Sequence, residues 1–497
     1  MIGEREAQLW GRTDWLVAFL LFFVLSTVYY ATASGITSSN DGSHYALIRT
    51  MVENRTFALA QFDDYAEGND IAVSEDGVLY SDRPPGTALA GTLFYLAGGL
   101  LPEPLQSLPS RHDQENARLA YVILLPVFAG AGTAVVLYGL MRLLALSRAA
   151  AVTAVLMFGL GTVHWKYSSV LFSHALSSFL VITAFFLAVR LVRQRGGRLL
   201  TFGLLGLLLG YSVLTEYSNA LLVLIVLLYL LLNSRPLDWR SLVPSFAFLI
   251  LGGLLSALFL AFYNKSNFGS IWTLSYHYAI NYPWAGSFTT TFNFPLADGL
   301  KGLLVGGTGD GWCDGPCPNQ GLLLLSPVLL LALPGWYFFY HEQRRVCLLA
   351  AVIFLAYLLL FARHRTFHGF TADGRYLTPF LSLLALPVAY TMQWIYAQRA
   401  RPWLRAALMV TAFALFLLSM RNMFLHIGRS YNYHLDLSLL DGLFSAPGAL
   451  FIMFGQVFRN AINLPLLWLF EIGAALLIVG AAFVIHKAAN LRPDSSD

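Results

Sequence analysis

Residues 241–263 read SLVPSFAFLILGGLLSALFLAFY, a run without a single charged side chain. A helix that crosses a bilayer needs about 20 mostly apolar residues. The whole chain has a similar character, because 57% of its 497 residues are hydrophobic and only 12% are charged. A soluble domain carries roughly a quarter charged residues. Most of the chain is therefore expected to face lipid or other apolar helices.

Similar apolar stretches recur from one end of the sequence to the other. They predict about 12 spans, at 15–34, 118–141, 149–165, 172–192, 199–213, 218–233, 241–263, 321–340, 346–361, 376–396, 405–424 and 464–486. We therefore predict an all-α polytopic membrane protein that forms a single membrane domain over 1–497. The apolar stretch 86–101 is shorter, and we predict that it forms a juxtamembrane helix lying on the membrane surface.

Basic residues occur in every second link between the predicted spans. They are Arg142, Arg148, Arg190, Arg193, Arg195, Arg198, Arg235, Arg240, Arg344, Arg345, Arg399, Arg401, Arg405, Lys487 and Arg492. Since short cytoplasmic links are rich in Lys and Arg, this pattern places both termini in the cytoplasm. The other links then lie outside, the longest being 35–117, 264–320, 362–375 and 425–463. The basic residues form no clustered patch, so we expect no nucleic-acid partner.

Two segments have alternative interpretations. Residues 15–30 followed by Ala31-Thr32-Ala33 imitate a signal peptide with its cleavage site, but the mixed charge before them favours a retained first span. Cys313 and Cys317 lie close together in the 264–320 loop, where an oxidising face would allow a disulfide. A metal site is weakly supported there, because no second cysteine pair follows.

Asp41 follows the first predicted span, within the segment NDGSHY of residues 40–45. The span holds this carboxylate at the depth where a lipid headgroup meets a water-borne acceptor. An ionised carboxylate can accept a proton there. The alternative is a loop aspartate that caps the helix starting near His44.

Arg83 precedes two prolines and the predicted juxtamembrane helix, within YSDRPPG of residues 80–86. The prolines stiffen the backbone and present the guanidinium at headgroup height. There it can hold a phosphate with two parallel hydrogen bonds. The alternative is an arginine that extends to lipid phosphates in general.

Other charged residues stand at predicted span ends on the same face. Lys166 and His174 flank the turn between the third and fourth spans, and both can reach the cavity of Asp41 if the loops converge. A histidine in such a place is more often a packing residue. Three arginines in one short outer link oppose the positive-inside trend and indicate an anionic ligand or interfacial anchoring: Arg363, Arg365 and Arg375.

The 264–320 loop is rich in aromatic side chains, among them Tyr276, His277 and Trp284, and it ends in a glycine-rich run. Aromatic residues of this kind stack on sugar faces or lie in the membrane interface. Both interpretations are open.

In order and topology these segments resemble the GT-C superfamily of membrane glycosyltransferases. The match is strongest with the branch of protein O-mannosyltransferases and bacterial aminoarabinose lipid A transferases. The resemblance covers roughly residues 15–395 and rests on NDGSHY at 40–45, RPP at 83–85, YSS at 167–169, GL and SP within 321–327, and GRYLTP at 374–379.

The resemblance implies inverting transfer of a sugar from a polyprenyl-phosphate donor to a hydroxyl of a lipid, glycan or protein acceptor. It places the reaction at the outer face of a prokaryotic plasma membrane, among membrane lipids and without a metal cofactor. Asp41 would be the general base. The donor phosphate would be bound by Arg83, Arg375, Lys166 and Arg363. The sugar or the acceptor would be bound by His44, Tyr45, His174, Tyr276 and His277.

Two positions depart from the family pattern. Relatives often carry a second acid where this chain has His174, and a basic residue near Glu216. These differences from the family pattern bear on the identity of the acceptor and on the path of the proton more than on the reaction class.

A transporter or flippase of lipid-linked sugars is the alternative function. Transporters tend to have repeated halves, broken spans and polar groups at mid-membrane. Here the polar groups gather at one face, and we find no convincing internal repeat. A structural or assembly subunit is a third interpretation, against which the acid and the arginines argue.

Overall fold

The fold, taken from a computed structural model, is a bundle of helices. The structure describes residues 11–101, 108, 112, 116–194, 199–233, 239–306, 321–369 and 373–430. The α-helices are α1 Arg12–Ala31, α2 Ser39–Arg49, α3 Gly86–Gly98, α4 Leu119–Val122, α5 Leu124–Leu143, α6 Arg148–Gly161, α7 His164–Tyr167, α8 Ser173–Arg193, α9 Leu199–Thr215, α10 Ala220–Asn233, α11 Trp239–Phe268, α12 Phe288–Thr291, α13 Leu296–Leu304, α14 Leu322–Leu325, α15 Ala332–Ala362, α16 Leu381–Ala397 and α17 Pro402–Ser430. The predicted all-α class is confirmed.

Shorter elements connect these helices. One turn of π-helix, Thr50–Asn54, extends α2. Single 3₁₀ segments are Ala60–Ala66, Tyr217–Asn219, Ser275–Tyr278, Pro283–Gly286, Pro327–Leu331 and Arg375–Phe380. Within the described ranges the only sheet is an antiparallel hairpin of β1 Ile71–Val73 and β2 Leu79–Ser81.

Seven helical stretches within the described ranges are long and apolar enough to cross a membrane. They are Arg12–Ala31, Leu119–Leu143, Ser173–Arg193, Leu242–Phe268, Pro327–Ala362, Arg375–Ala397 and Pro402–Phe424. Shorter apolar helices occupy Arg148–Gly161, Leu199–Thr215 and Tyr217–Asn233. Every predicted span except 464–486 falls on one of these stretches. That last span lies outside the described residues, so the predicted total stays a prediction.

Helix α15 contains a break at Gln343, where the backbone angles are non-helical (φ −138°, ψ 53°). Before the break, Phe339 stacks on Tyr390 of α16 with 4.8 Å between ring centres. After the break the chain returns, and Phe361 stacks on Tyr376, just before α16, at 5.2 Å. The two spans predicted here are therefore the two parts of α15.

Helices α9 and α11 pack backbone against backbone. A Cβ built on Gly206 would lie 1.8 Å from the carbonyl oxygen of Leu249, and one on Gly252 would lie 1.9 Å from that of Gly203. Small residues let apolar helices approach this closely, and the van der Waals contact holds them together where no hydrophobic effect does. The contact fixes the position of α9 and of the residues that follow it.

One end of the bundle, the arginine end, is held together by a buried carboxylate. Asp14 in the first turn of α1 accepts hydrogen bonds from Arg148 Nε (2.9 Å), Arg142 Nε (3.1 Å) and the hydroxyl of Tyr138 (2.7 Å). These partners belong to α5 and α6, so three helix ends meet at one charge cluster. The arginine-bearing link that contains Arg142 and Arg148 therefore lies against the start of α1.

The opposite end, the loop end, carries the first long loop and the segments 269–304 and 363–380. In the hairpin, Ile71 is opposite Ser81. The hydroxyl of Ser43 on α2 lies 2.7 Å from the carbonyl oxygen of Asp70, to which it can donate a hydrogen bond. It also lies 2.7 Å from the hydroxyl of Ser81, and either of these two hydroxyls can be the donor. The hairpin is thereby tied to α2. The sequence did not predict it, because strands this short show no periodic pattern.

Helix α3 is present where a juxtamembrane helix was predicted. Its 13 residues rise about 20 Å, less than the roughly 30 Å of a bilayer core. Its first residue, Gly86, accepts a hydrogen bond from the hydroxyl of Tyr211 on α9 (2.8 Å). A Cβ on Gly86 would lie 2.5 Å from the backbone of Leu214. The start of α3 is therefore pressed against the end of α9, which positions the loop residues just before it.

Candidate functional site

Arg83 lies between β2 and α3, at a corner set by two prolines. Its guanidinium forms an ion pair with Asp70, and its Nε lies 2.9 Å from Oδ1 of Asp82. Only 14% of the side chain is exposed. Burial, together with the like charge of Arg375, lowers the pKa of Arg83, although a guanidinium stays charged at neutral pH. The corner thus holds a buried guanidinium whose charge is paired with Asp70.

Asp82 is fully buried, and neither carboxylate oxygen has an aligned hydrogen-bond partner within the described residues. Burial raises the pKa of this carboxyl to about 8, against the opposing charge of Arg375. Asp82 is therefore mostly uncharged at neutral pH and does not cancel the charge of Arg83. Sequence reasoning did not select it. The only signal was its place directly before Arg83, since its burial comes from the fold.

Arg375 opens the 3₁₀ segment before α16 and follows Gly374, whose φ of 59° glycine adopts without strain. Its guanidinium carbon lies 5.2 Å from the ring centre of Phe172 and 5.5 Å from that of Tyr376. The side chain is buried, and its Nε has no hydrogen-bond partner within the described ranges. Arg375 is thus a buried cation with unused donor capacity, and its charge acts on Asp82 as well as on Arg83.

His44 lies on α2 in the same region. It is buried, and neither ring nitrogen has a hydrogen-bond partner among the described residues. Burial lowers the pKa of His44 to about 3, and the charges of Arg83 and His174 act in the same direction. The ring is therefore neutral and offers one donor and one acceptor. We call the cluster of buried side chains formed by Arg83, Asp82, Arg375 and His44 the guanidinium pocket, since the charges of Arg83 and Arg375 act on the other members.

Of the two loop residues predicted to bind sugar or acceptor, Tyr276 belongs to this pocket and His277 does not. The positive charge of Arg83 and the acid Asp82 both influence the hydroxyl of Tyr276, whose pKa is raised chiefly by burial. His277 is exposed, and its described polar contact is with the carbonyl oxygen of Gly286 at 3.5 Å.

Asp41 is fully buried at the start of α2, and its carboxylate is occupied by its own helix cap. Oδ2 accepts from the backbone nitrogen (2.7 Å) and hydroxyl (2.8 Å) of Thr37, and Oδ1 accepts from the backbone nitrogen and hydroxyl of Ser38, both at 2.8 Å. Burial raises the pKa of Asp41 while these four hydrogen bonds oppose the rise. The capping alternative is what the structure shows. No described contact joins Asp41 directly to Arg83 or Arg375, so the predicted meeting of these residues and the role of general base both stay predictions.

Lys166 is buried in an ionic cluster of its own. Its Nζ lies 2.7 Å from Oδ2 of Asp373 and 3.2 Å from Nε2 of His426, which itself lies 2.8 Å from the same oxygen. The hydroxyl of Tyr167 donates to Asp373 at 2.9 Å. Burial favours the neutral acid, but Lys166 and His426 hold the pKa of Asp373 well below its usual range. The described contacts therefore give Lys166 a carboxylate partner rather than a place in the guanidinium pocket.

His174 is the second residue of α8, and its Nδ1 lies 2.7 Å from Oε1 of Glu216, which follows α9. Ser173 donates to the same oxygen at 2.9 Å. The sequence marked both positions as departures from the family pattern, but it did not predict that they touch. A contact between residues this far apart in the chain is set by the packing of α8 and α9.

The two remaining predicted site residues lie elsewhere. Tyr45 is buried, with its ring centre 5.3 Å from that of Tyr65 and 6.2 Å from that of Tyr95, in a packing role. Arg363 is exposed at the end of α15, and its guanidinium approaches the carbonyl oxygen of Phe292 at 3.5 Å. The described structure does not bring either one to the guanidinium pocket.

No group of three or more His, Cys, Asp or Glu side chains suited to a metal ion occurs in the part of the chain that the structure describes. The expectation that the protein needs no metal stays a prediction. Cys313 and Cys317 lie outside the described residues, while Cys347 is buried and free.

Comparisons with known proteins bear on the fold. No protein family matches the sequence. No curated protein matches it either. The apo oligosaccharyltransferase of Archaeoglobus fulgidus has a similar structure, with a TM-score of 0.53 at 12% identity over 85% of this chain. Our chain spans 57% of the length of that protein.

The ArnT of Cupriavidus metallidurans was also found in two states. The form bound to undecaprenyl phosphate gives a TM-score of 0.49 at 13% identity, covering 97% of this chain and 82% of ArnT. The apo form gives 0.48 at 13% identity, covering 91% and 77%. The chain is thus an integral, multi-pass membrane protein. Its fold is similar to that of the archaeal oligosaccharyltransferase, in line with the resemblance found in the sequence.

Proposed function

We propose that this chain is an inverting glycosyltransferase that moves a sugar from a polyprenyl-phosphate donor to the hydroxyl of an acceptor. The observation that carries the proposal is the pair of buried guanidinium groups, Arg83 and Arg375, beside the uncharged acid Asp82. The GT-C fold and the sequence motifs that contain both arginines support it.

A phosphate is the ligand that suits these two arginines. Arg83 is oriented by its ion pair with Asp70, and Arg375 keeps an Nε–H without a partner within the described ranges. Guanidinium groups bind phosphate oxygens through paired, charge-assisted hydrogen bonds. When the sugar leaves the phosphate, charge grows on the phosphate oxygens. Cations already fixed around them then stabilise the transition state more than the ground state.

The sugar would occupy the side of the pocket lined by neutral polar groups. His44 offers one donor and one acceptor without a partner among the described residues, and the hydroxyl of Tyr276 lies in the same region. Sugar hydroxyls need donors and acceptors in close alternation, while the aromatic rings supply flat apolar surface.

The reaction needs a group that takes the proton of the acceptor hydroxyl. The acceptor oxygen forms a bond to the anomeric carbon, the bond from that carbon to the phosphate oxygen breaks, and the polyprenyl phosphate leaves with the electron pair. Attack from the face opposite to the leaving group inverts the configuration. Asp41, which the family resemblance nominates as the base, would first have to give up hydrogen bonds of its cap.

We place the guanidinium pocket on the outer face of the membrane. The pocket lies at the loop end, opposite the arginine end with Arg142 and Arg148. Arginine-rich short links favour the cytoplasm. This orientation would present the site to an acceptor lipid, glycan or protein in the envelope of a prokaryotic cell.

The location of the pocket at one end of the bundle also favours an enzyme over a transporter of the same lipid-linked sugar. Transport sites lie near the middle of the membrane, commonly between discontinuous helices. Here the charged pocket residues Asp82 and Arg83 come from a loop, and Arg375 stands at the very start of its apolar stretch.

The experiment incubates the purified protein with a panel of radiolabelled polyprenyl-phosphate sugars and extracted envelope lipids, glycans or proteins. We expect labelled product with the wild type, and a loss of at least 100-fold in Arg375→Gln, since charge-assisted hydrogen bonds that count in the transition state are worth about 3 kcal/mol. The matched control is Arg399→Gln, an exposed arginine, which should keep full turnover. Labelled donor that crosses vesicles without forming product would instead indicate a transporter.

A further inference from the structure

The contact between His174 and Glu216 joins two elements beside the guanidinium pocket. His174 is the second residue of α8, and Glu216 lies between α9 and the 3₁₀ segment Tyr217–Asn219. Only 7% of the His174 side chain and 12% of the Glu216 side chain are exposed. Burying both groups is unfavourable unless each is bonded, and their 2.7 Å contact meets this need.

The contact with Glu216 determines which ring nitrogen of His174 can accept a proton. A carboxylate accepts hydrogen bonds, so the nitrogen facing it, Nδ1, carries a proton. In the neutral ring the other nitrogen, Nε2, then has a lone pair. Nε2 makes no hydrogen bond within the described part of the chain. Ser173 donates to the same Glu216 oxygen at 2.9 Å and keeps that carboxylate in place.

The ring of His174 belongs to the guanidinium pocket. It packs edge-on against Tyr376 at 6.3 Å and lies 6.0 Å from the ring of Phe172. The guanidinium of Arg375 lies over these same two rings. A positive charge on His174 would act on His44, as that of Arg83 does, so the two histidines lie near each other. The imidazole thus lies near both the arginine that would bind phosphate and the histidine that would bind sugar.

Carboxylate–imidazole pairs of this kind serve as proton acceptors in many enzymes, because the carboxylate orients the ring and stabilises the imidazolium that forms. His174 has the free nitrogen that the role requires. In Asp41, by contrast, each carboxylate oxygen already accepts two hydrogen bonds from its own cap.

We propose that His174, oriented by Glu216, takes the proton of the acceptor hydroxyl during sugar transfer. The inference rests on the proposed function. The O–H bond of the acceptor breaks as its oxygen bonds to the anomeric carbon, and the proton moves to Nε2. The polyprenyl phosphate departs with the electrons of the broken carbon–oxygen bond. The imidazolium then releases its proton to water or to the departed phosphate, which restores the neutral ring. His174 is the catalytic residue, and Glu216 is a positioning residue.

The test compares His174→Gln and Glu216→Gln with the wild type in the transfer assay, measuring kcat and KM separately. His174→Gln should lower kcat by about 10²–10⁴-fold, the usual worth of general-base catalysis, while the donor KM changes by no more than a few-fold. Glu216→Gln should give a smaller loss of kcat. The matched control is His341→Gln, an exposed histidine on α15, which should behave as wild type.

A second measurement determines the tautomer of His174 in its contact with Glu216 without requiring catalysis. The ¹⁵N spectrum of histidine-labelled protein should show the His174 ring protonated at Nδ1, with its signal identified by its loss in His174→Gln. In Glu216→Ala the ring should no longer be held in this tautomer. Wild-type kcat in His174→Gln, or an Nε2-protonated ring in the wild type, would overturn the inference. If the wild type itself forms no product from any donor of the panel, the proposed function fails instead.

Discussion

At the residue scale, the net charge of the guanidinium pocket depends on whether Asp82 is protonated. Arg83 is already paired with Asp70, so a second charged carboxylate beside it would repel an incoming phosphate. Burial raises the pKa of Asp82 to about 8, which leaves one charged acid beside the two arginines. The same residue makes the stability of the protein depend on pH.

We expect the wild type to lose stability relative to Asp82→Asn as pH rises from about 4 to about 8. The pKa of Asp82 is about 8 in the folded state and 3.8 for the ordinary group, so the folded state binds the extra proton in this window and must release it as pH increases. Each pKa unit corresponds to about 1.4 kcal/mol. Thermal midpoints at pH 5 and pH 8 measure the effect, with the exposed Asp298→Asn as control. A difference between wild type and Asp82→Asn that stays the same at both pH values would contradict this assignment.

Lys166 should matter for folding through its partner Asp373. Lys166→Met leaves the buried carboxylate without its cation, which costs about 3–5 kcal/mol for a buried pair. The double variant Lys166→Met with Asp373→Asn removes both charges and should recover much of that loss. Chemical denaturation of both variants is the measurement. A double variant less stable than Lys166→Met alone would show that the pair is not the source of the effect.

The sequence singled out Arg83 by its two prolines, Arg375 and His174 as basic groups at predicted span ends, and His44 through the family resemblance. It did not select Asp82 or join His174 to Glu216. Acids in loops are common. Asp82 is distinguished by its burial, and Glu216 by its contact with a distant segment. Asp41 shows the opposite case, since a local pattern drew attention to a side chain whose hydrogen bonds are all local.

At the element scale, the position of Glu216 depends on how closely α9 can approach α11. The contact at Gly206 leaves no room for a side chain, because a Cβ there would overlap the backbone of α11. Gly203 lies one turn earlier on α9, and a Cβ there would meet its nearest neighbour, the carbonyl oxygen of Phe248, at an ordinary 3.5 Å. The two glycines form a matched pair for a test.

Gly206→Ala should push α9 away from α11, lower the thermal midpoint and reduce transfer by moving Glu216 from His174. Gly203→Ala should be neutral or slightly stabilising, since alanine favours helix more than glycine does. Thermal unfolding in detergent and the transfer assay give the two readouts. Equal behaviour of the two variants would show that close helix packing does not hold this element in place.

Most elements could be predicted because membrane-spanning helices can be recognised in a sequence from their length and low polarity alone. The β1–β2 hairpin and the break at Gln343 could not. Three-residue strands are too short to show alternation, and the break has neither glycine nor proline at its centre to mark it.

At the scale of the whole molecule, charge is divided between two ends of an apolar bundle. Asp14 and its arginines join helices at one end, while the guanidinium pocket is assembled at the other from a loop, α2 and the approach to α16. This division could be predicted from the alternation of arginine-bearing links. Which loop residues converge could not, because convergence depends on the packing of α3 against α9 and of α2 against the hairpin.

The central claim is that Arg83 and Arg375 form a phosphate site for a polyprenyl lipid. The most direct measurement is the affinity of the purified protein for undecaprenyl phosphate and for undecaprenol, in the wild type and in Arg375→Gln. We expect the wild type to prefer the phosphate at least tenfold, and Arg375→Gln to lose about 10–100-fold in affinity for the phosphate alone, the worth of hydrogen bonds to a charged group. Equal affinity of the wild type for both lipids, or an unchanged affinity for the phosphate in Arg375→Gln, would contradict the account.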